Sequence, residues 1–219
     1  MKLGILGGTF NPIHLGHLRA AEEIVEDLAL DKVYLIPSGM PPHKPRAPIA
    51  DFSHRIEMVR LASAISPLLE IWDIEGIRGG FSYSIETLRS FHTFFGPDLE
   101  LFFIIGTDAF LEIKTWKEYR NLFRYASFVV INRPGYPTER LTAFLDSLNV
   151  GFKWSSKEEG FLHPSGTVLL RRDITLMDIS ASKIREKARK GKSIRFLVPE
   201  AVRKYIEKAG VYLINEYTR

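Results

Sequence analysis

Short apolar runs alternate with longer amphipathic segments along most of the chain. The apolar runs predict buried strands over residues 2–6, 33–36, 69–74, 101–105, 127–132 and 167–170. The amphipathic segments carry apolar residues at helical spacing, and they predict helices over residues 15–28, 51–65, 84–95, 182–190 and 199–209. Strands that are apolar on both faces and alternate with helices are typical of a parallel sheet covered on both sides.

The predicted fold class is therefore α/β, with a doubly wound, mainly parallel sheet (Rossmann-like) and helices on both faces. The sequence shows no internal repeat and no dividing linker, so we expect a single domain over residues 1–219, in which 183–219 form a small helical C-terminal end. Ligands of such sheets bind beyond the carboxyl ends of the strands. The residues that directly follow the predicted strands are thus the first candidates for a site.

Composition narrows the class of protein. The chain has 219 residues, of which 45% are hydrophobic and 26% charged, as in globular proteins. It has no cysteine, which excludes a disulfide scaffold, a thiolate zinc site and a cysteine nucleophile. No apolar run is long enough to span a membrane, and the first ten residues are interrupted too early to form a signal peptide. We therefore expect a cytoplasmic protein.

Positive charge is concentrated near the end of the chain. The net charge is +4, and residues 183–208 hold ten basic and three acidic side chains. Such a segment suggests a phosphate partner, either a nucleotide or a nucleic acid. Charge alone favours a simpler interpretation, a solvated helix face.

The loop after the first predicted strand carries the strongest chemical signal. Gly7 and Gly8 allow backbone N–H groups to approach an anion, although the loop matches neither the dinucleotide fingerprint nor the Walker A pattern. His14 and His17 are spaced to stack on one face at a helix N-terminus, and Gly16 between them would leave space for a phosphate. A zinc pair or two packing histidines are the alternatives, but no clustered third ligand supports a metal. The pattern favours phosphate binding.

A second candidate anion site lies late in the chain. Ser180 or Ser182 is suited to be the N-cap of the next helix, and Arg185 follows one turn later. Alone, this motif would indicate an ordinary capped helix. Together with the histidine loop, it predicts two helix N-termini that hold one triphosphate.

Seven segments occur in the order and spacing of a known family. They are GGTFNPIHLGH, PPHK, SYSIETL, IIGTD, the region of Trp116, RPGYP and ISASKIR. The chain resembles the nucleotidylyltransferase superfamily, whose members carry Thr/His-x-Gly-His and Ile-Ser-x-x-x-x-Arg motifs, and within it the bacterial nicotinate mononucleotide adenylyltransferases. The resemblance covers essentially the whole chain. Ser84 and Ser182 stand where many members have Thr, and Asn11 stands where Asp is common.

The resemblance implies adenylyl transfer from ATP to nicotinate mononucleotide in NAD biosynthesis, which gives nicotinic acid adenine dinucleotide and pyrophosphate. The mononucleotide phosphate would attack ATP in line, without a covalent intermediate. The implied cofactor is Mg²⁺, held mainly by ATP phosphates rather than by protein ligands. ATP and nicotinate mononucleotide are the implied partners, with no nucleic acid and no membrane; a homodimer is left open.

The resemblance also implies roles for individual residues. His14, His17 and Arg185 would be catalytic. The implied ATP-binding residues are Gly8, Thr9, Phe10, His14, His17, Gly106, Asp108, Ile179, Ser180, Ser182 and Arg185. The implied residues for the mononucleotide are Tyr83 and Ser84, whose N–H groups would receive the pyridine carboxylate, Trp116, which would stack on the ring, and Lys44 and Arg133, which would meet the phosphate.

Two other functions stay open on the sequence. A sister transferase for nicotinamide mononucleotide or phosphopantetheine would share the ATP half of the site. A nucleic-acid-binding module would use residues 183–208, although that segment lacks interleaved surface aromatic residues.

Overall fold

A computed structural model describes residues 1–41, 49–131, 138–175 and 177–213, with only the backbone of 138–140. These residues form eight strands, nine α-helices and one short 3-10 helix. The strands are β1 (Lys2–Gly8), β2 (Lys32–Pro37), β3 (Leu69–Ile71), β4 (Glu100–Gly106), β5 (Ser127–Ile131), β6 (Lys153–Ser155), β7 (Gly160–Leu162) and β8 (Val168–Arg172). The α-helices are α1 (Leu15–Leu28), α2 (Phe52–Ser63), α3 (Ile74–Arg78), α4 (Ser84–Phe95), α5 (Thr107–Leu111), α6 (Tyr119–Tyr125), α7 (Thr138–Leu148), α8 (Ala181–Arg189) and α9 (Glu200–Ala209), and the 3-10 helix is Ile113–Thr115.

The strands form one sheet in the order β3-β2-β1-β4-β5-β8-β7-β6. β1, β4, β5 and β8 pair in parallel, whereas β6, β7 and β8 form an antiparallel meander at one edge. The prediction of an α/β fold with a mainly parallel sheet is confirmed. The antiparallel edge was not predicted, because β6 and β7 have only three residues each and show no clear alternation.

Contacts within the chain separate two compact units. The first comprises Met1–Gly7, Ile24–Val33 and Tyr83–Ile174; the second comprises Gly8–Glu23, Tyr34–Ser82 and Thr175–Arg219. The expectation of a single domain over 1–219 stays a prediction.

Aromatic residues fill the core of the first unit. Phe103 and Phe128 face each other across β4 and β5 with ring centroids 5.3 Å apart. Phe123 of α6 contacts the Phe128 ring at 4.9 Å, and Phe110 of α5 lies 6.5 Å from Phe123. Burial of these rings stabilises the continuous apolar strands that the sequence predicted.

In the second unit, α2 and α9 pack against each other. Both helices bury apolar side chains at helical spacing, among them Val59, Ala62, Val202 and Ile206. The sequence pattern of residues 51–65 predicts that Ile56, Val59, Leu61 and Ala62 face inward, which is partly wrong. Ile56 and Leu61 are only half-buried, and Arg55 is buried in their place.

One predicted strand is shorter than expected, and a helix that was not predicted follows it. The predicted strand 69–74 ends at Ile71, and α3 begins at Ile74. None of the helices in the described part of the chain is long and apolar enough to cross a membrane.

Candidate active site

The two imidazoles of the first loop are stacked at the start of α1. The ring centroids of His14 and His17 lie 3.6 Å apart, and the ring planes differ by 22°. The Phe10 ring meets His17 edge-on, with centroids 5.1 Å apart. His14 directly precedes α1, so both rings lie at a helix N-terminus, where partial positive charge favours anions. The stacking of the two rings agrees with the prediction from their spacing of three residues. Their role in phosphate binding stays a prediction.

A hydrogen bond fixes the tautomer of His17. The backbone N–H of His14 donates to Nδ1 of His17 over 3.2 Å. Since a backbone N–H can only donate, Nδ1 carries a lone pair, and the proton of the neutral ring resides on Nε2. His17 therefore has its N–H donor on the ring nitrogen farther from its own backbone.

Glycines in this loop make room for neighbouring rings. A Cβ at Gly16 would lie 3.2 Å from Nδ1 of His14, and a Cβ at Gly8 would lie 3.1 Å from the Phe10 ring. The absence of a side chain at Gly16 leaves room for the His14 ring; that it also leaves space for a phosphate stays a prediction. A side chain at Gly16 would therefore crowd the His14 ring, and one at Gly8 would crowd the Phe10 ring.

The late serine–arginine motif lies against the first loop. Ser180, one of the two predicted candidates, is the N-cap of α8, but its hydroxyl pairs with that of Ser182 at 2.7 Å instead of capping the helix. Nη1 of Arg185 donates to the carbonyl oxygen of Asn11 over 2.8 Å. Within the second unit, the two predicted anion sites are therefore neighbours. Ile179 precedes the N-cap and is half-buried.

Arg55 is a residue that sequence reasoning missed. Its side chain is 2% exposed and donates to the carbonyl oxygens of Thr9 (3.0 Å), Ser38 (2.6 Å), Gly39 (2.9 Å) and Ala50 (3.0 Å). Burial lowers the pKa of the guanidinium, whereas four carbonyl acceptors favour its charged form. Arg55 thereby joins the loop after β1 to the loop after β2.

The sequence carried a signal for Arg55. Met58, Val59 and Ala62 follow it at spacings of three, four and seven residues, and all three are buried. A basic residue at this phase of an apolar helix face indicates a buried cation, which needs acceptors around it.

Gly106 and Asp108 lie at the end of β4 in the first unit. Gly106 is the N-cap of α5, and a Cβ there would lie 2.7 Å from Oδ1 of Asp108. The glycine thus allows the exposed Asp108 carboxylate to lie over the strand end. Thr107 between them is buried and donates to the carbonyl oxygen of Ile131 over 2.9 Å.

Tyr83 and Trp116 belong to two segments of the first unit that are joined by Lys117. Tyr83 is the N-cap of α4, and the half-buried Trp116 meets the Phe103 ring edge-on at 6.0 Å. The Lys117 ammonium lies 4.4 Å from the centroid of the Tyr83 ring and donates to Glu86 over 2.7 Å. The bond to Glu86 raises the pKa of Lys117. Trp116 is partly exposed, in agreement with the prediction from its polar sequence neighbours Lys114, Thr115 and Lys117.

A second ion pair joins the same two segments. Arg89 of α4 donates to both carboxylate oxygens of Glu118, at 3.3 Å and 2.6 Å. This pairing lowers the pKa of Glu118. Neither pair was predicted, because the partners are about thirty residues apart in sequence and the charges look like ordinary surface residues.

Two predicted residues, Lys44 and Arg133, lie outside the described residues. Within the described ranges, no three His, Asp or Glu side chains form a cluster able to hold a metal ion.

Comparison with known proteins places the chain in a family. A family model for cytidylyltransferase-like proteins matches residues 5–187. The chain is 47% identical over 213 residues to a probable nicotinate-nucleotide adenylyltransferase of Geotalea uraniireducens, covering 97% of this chain and 98% of the relative. It is 45% identical over 214 residues to the protein of that name from Citrifermentans bemidjiense, covering 97% and 99%.

Solved structures with the same fold share little sequence with the chain. Plasmodium falciparum nicotinic acid mononucleotide adenylyltransferase complexed with NaAD matches with a TM-score of 0.73 and 18% identity, over 96% of this chain and 97% of that one. The same enzyme complexed with APC matches with a TM-score of 0.71 and 18% identity, over 96% of both chains. These similarities show the fold.

Proposed function

Because the chain belongs to the nicotinate-nucleotide adenylyltransferases of the cytidylyltransferase-like family, we propose that it transfers the adenylyl group of ATP to nicotinate mononucleotide. An oxygen of the mononucleotide phosphate attacks the α-phosphorus of ATP, and the bond to the departing pyrophosphate breaks. The products are nicotinic acid adenine dinucleotide and pyrophosphate. The observation that carries the proposal is the stacked His14–His17 pair at the N-terminus of α1.

The ATP half of the reaction uses donors of the second unit. His17, protonated on Nε2, donates to a phosphate oxygen, and the N-terminus of α1 adds partial positive charge beside His14. Ser180, Ser182 and Arg185 bind the β- and γ-phosphates. These groups supply charge stabilisation and positioning, which suffice because the attacking phosphate is already ionised at neutral pH.

Other residues receive the nucleosides. Asp108 binds the ribose hydroxyls. Gly106 permits this because it has no side chain and leaves room for the Asp108 carboxylate. The N–H groups of Tyr83 and Ser84, at the start of α4, bind the pyridine carboxylate, and Trp116 stacks on the ring. Lys44 and Arg133 bind the phosphate of the mononucleotide.

Mg²⁺ enters as part of the ATP substrate. Imidazole, hydroxyl and guanidinium groups line the candidate phosphate site, and these are ligands for phosphate oxygens, whereas Mg²⁺ prefers carboxylates, phosphates and water. Held mainly by the ATP phosphates, the ion would supply positive charge for the leaving pyrophosphate, while His14, His17 and Arg185 would bind phosphate oxygens. A cytoplasmic location remains a prediction.

The test offers ATP and Mg²⁺ with each acceptor separately. We expect pyrophosphate release and dinucleotide formation with nicotinate mononucleotide, much slower turnover with nicotinamide mononucleotide or phosphopantetheine, and none with EDTA. Faster turnover with another acceptor would assign the chain to a sister activity. The absence of pyrophosphate release with every acceptor would overturn the proposal.

A further inference from the structure

Asn11 connects three segments of the second unit through its two oxygen atoms. Its side-chain Oδ1 accepts from the backbone N–H of Ala50 over 3.2 Å and from the hydroxyl of Tyr212 over 2.7 Å. Its backbone carbonyl accepts from Arg185 over 2.8 Å. Because the N–H of Ala50 can only donate, this contact identifies the amide oxygen of Asn11 without ambiguity.

Tyr212 is suited to act as a permanent donor in this arrangement. Burial raises the pKa of its phenol, against the opposing effect of the Arg185 and Arg55 charges, so the hydroxyl stays protonated at neutral pH. The backbone of Tyr212 adopts φ 68°, a left-handed conformation that residues with a Cβ rarely adopt. The surrounding contacts therefore hold this residue in place at a conformational cost.

We propose that Tyr212 is a positioning residue for adenylyl transfer, which acts through Asn11 to orient the guanidinium of Arg185. The proposal rests on the proposed function, in which Arg185 binds ATP phosphates. A guanidinium is planar and has five N–H donors, so a bond from one of them to Asn11 sets the direction of the others. If the loop that carries Asn11 rotated away from Arg185, the bonds that Ala50 and Tyr212 donate to Asn11 Oδ1 would both have to break.

The chain offers a matched pair of variants for the test. Tyr212→Phe removes only the hydroxyl that Asn11 accepts. Tyr205→Phe makes the same chemical change at the hydroxyl that pairs with His54 at 2.8 Å. We expect Tyr212→Phe to lower kcat/KM for ATP about five- to tenfold, the effect of one hydrogen bond, with KM for the mononucleotide within about twofold. Tyr205→Phe should leave kcat/KM for ATP and KM for the mononucleotide within about twofold of the wild-type values. Thermal unfolding of both variants measures any loss of stability separately.

A double-mutant cycle shows whether the effect passes through Arg185. In an Arg185→Gln background, Tyr212→Phe should change ATP binding no further, because the group that it positions is gone. ATP affinity, measured by calorimetry without the mononucleotide, provides a readout independent of turnover.

Each outcome decides the proposal. Unchanged ATP parameters in Tyr212→Phe, an equal loss in Tyr205→Phe, or additive effects with Arg185→Gln would overturn it. A wild-type protein that binds ATP but transfers nothing would overturn the proposed function, while the ATP affinities of the variants would still test the role of Tyr212. A wild-type protein that binds no ATP would overturn both.

Discussion

A single hydrogen bond fixes the tautomer of His17 and therefore the ring nitrogen that can donate. The stack places His14 and His17 side by side, but the bond from the His14 backbone to Nδ1 of His17 determines which nitrogen donates. Without it, either tautomer of His17 would be available. Spacing predicted the stack because residues three apart share a helix face. It could not predict the tautomer, which depends on the local backbone geometry.

His17→Ala should lower kcat by at least about 100-fold, because it removes a donor that stabilises charge developing in the transition state. The matched control is His54→Ala, since His54 pairs with Tyr205 on α9 and has no assigned role in the reaction. Steady-state kinetics at saturating ATP and mononucleotide measure the effect. An unchanged kcat in folded His17→Ala would contradict the catalytic role.

Arg55→Met should destabilise the protein by about 3 kcal/mol or more, because four carbonyl oxygens lose the donor that the buried guanidinium supplies. Arg60→Met on the same helix is the control. Arg60 pairs with Glu57 at the surface with a side chain 60% exposed, so its loss should cost less than about 1 kcal/mol. Urea unfolding measures both variants. Equal losses would show that the four bonds of Arg55 contribute no more than a surface pair.

At the scale of elements, the segment after the 3-10 helix is held to α4 by charge. Lys117 pairs with Glu86, and Arg89 pairs with Glu118. Each pair is exposed and individually weak, but together they restrict how far Trp116 can move from the start of α4. The sequence predicted α4 and the partial exposure of Trp116. It could not predict the pairing, because that depends on the tertiary approach of two distant segments.

Trp116→Ala should raise KM for nicotinate mononucleotide about tenfold and leave KM for ATP unchanged, because stacking on an aromatic side chain contributes to binding of one substrate only. Trp154→Ala is the control, since Trp154 lies on the β6–β7 hairpin with 62% of its surface exposed. Initial rates with each substrate varied in turn measure the effect. Equal increases in both KM values would indicate a structural role for Trp116.

The accuracy of the sequence predictions differed between kinds of element. Long apolar strands such as β4 and β5 were located within one residue at each end, because a continuous buried run has clear boundaries. Short elements such as α3, β6 and β7 were missed, since three to five residues carry too little periodicity. The candidate residues were found from motifs, whereas the bonds of Arg55 to backbone carbonyls and of Tyr212 to the Asn11 side chain join distant segments, which no motif records.

At the scale of the whole molecule, three of the ten basic side chains in the segment 183–208 form ion pairs. Lys183 contacts Asp178, Lys190 contacts Glu186, and Arg203 contacts both Glu200 and Glu207. Part of the charge concentration that suggested a nucleic acid partner is thus balanced by nearby carboxylates. Arg185, within the same segment, is directed instead to the loop that carries the histidines.

Two buried or paired groups predict how stability depends on acid. Burial lowers the pKa of His163 from its usual 6.5, since the neutral ring packs against Phe152 and accepts the N–H of Ser165. The unfolded chain therefore takes up a proton first as the pH falls, and stability should decrease below about pH 6.5.

The bond from Arg203 lowers the pKa of Glu200 from 4.5 to about 2. The contribution of Glu200 to stability is therefore present above pH 4.5 and is lost between pH 4.5 and about pH 2.

Melting temperatures between pH 7.5 and pH 3 separate the two contributions. His163→Asn keeps an acceptor for Ser165 but does not titrate, so its melting temperature should fall less than that of the wild type between pH 7 and pH 5. The melting temperature of Glu200→Gln should change with pH as that of the wild type does between pH 7 and pH 5. The two slopes should differ only below about pH 4.5, where the carboxylate of Glu200 begins to lose its contribution to stability. If His163→Asn loses stability as steeply as the wild type between pH 7 and pH 5, another group dominates the acid response and the assignment to His163 is wrong.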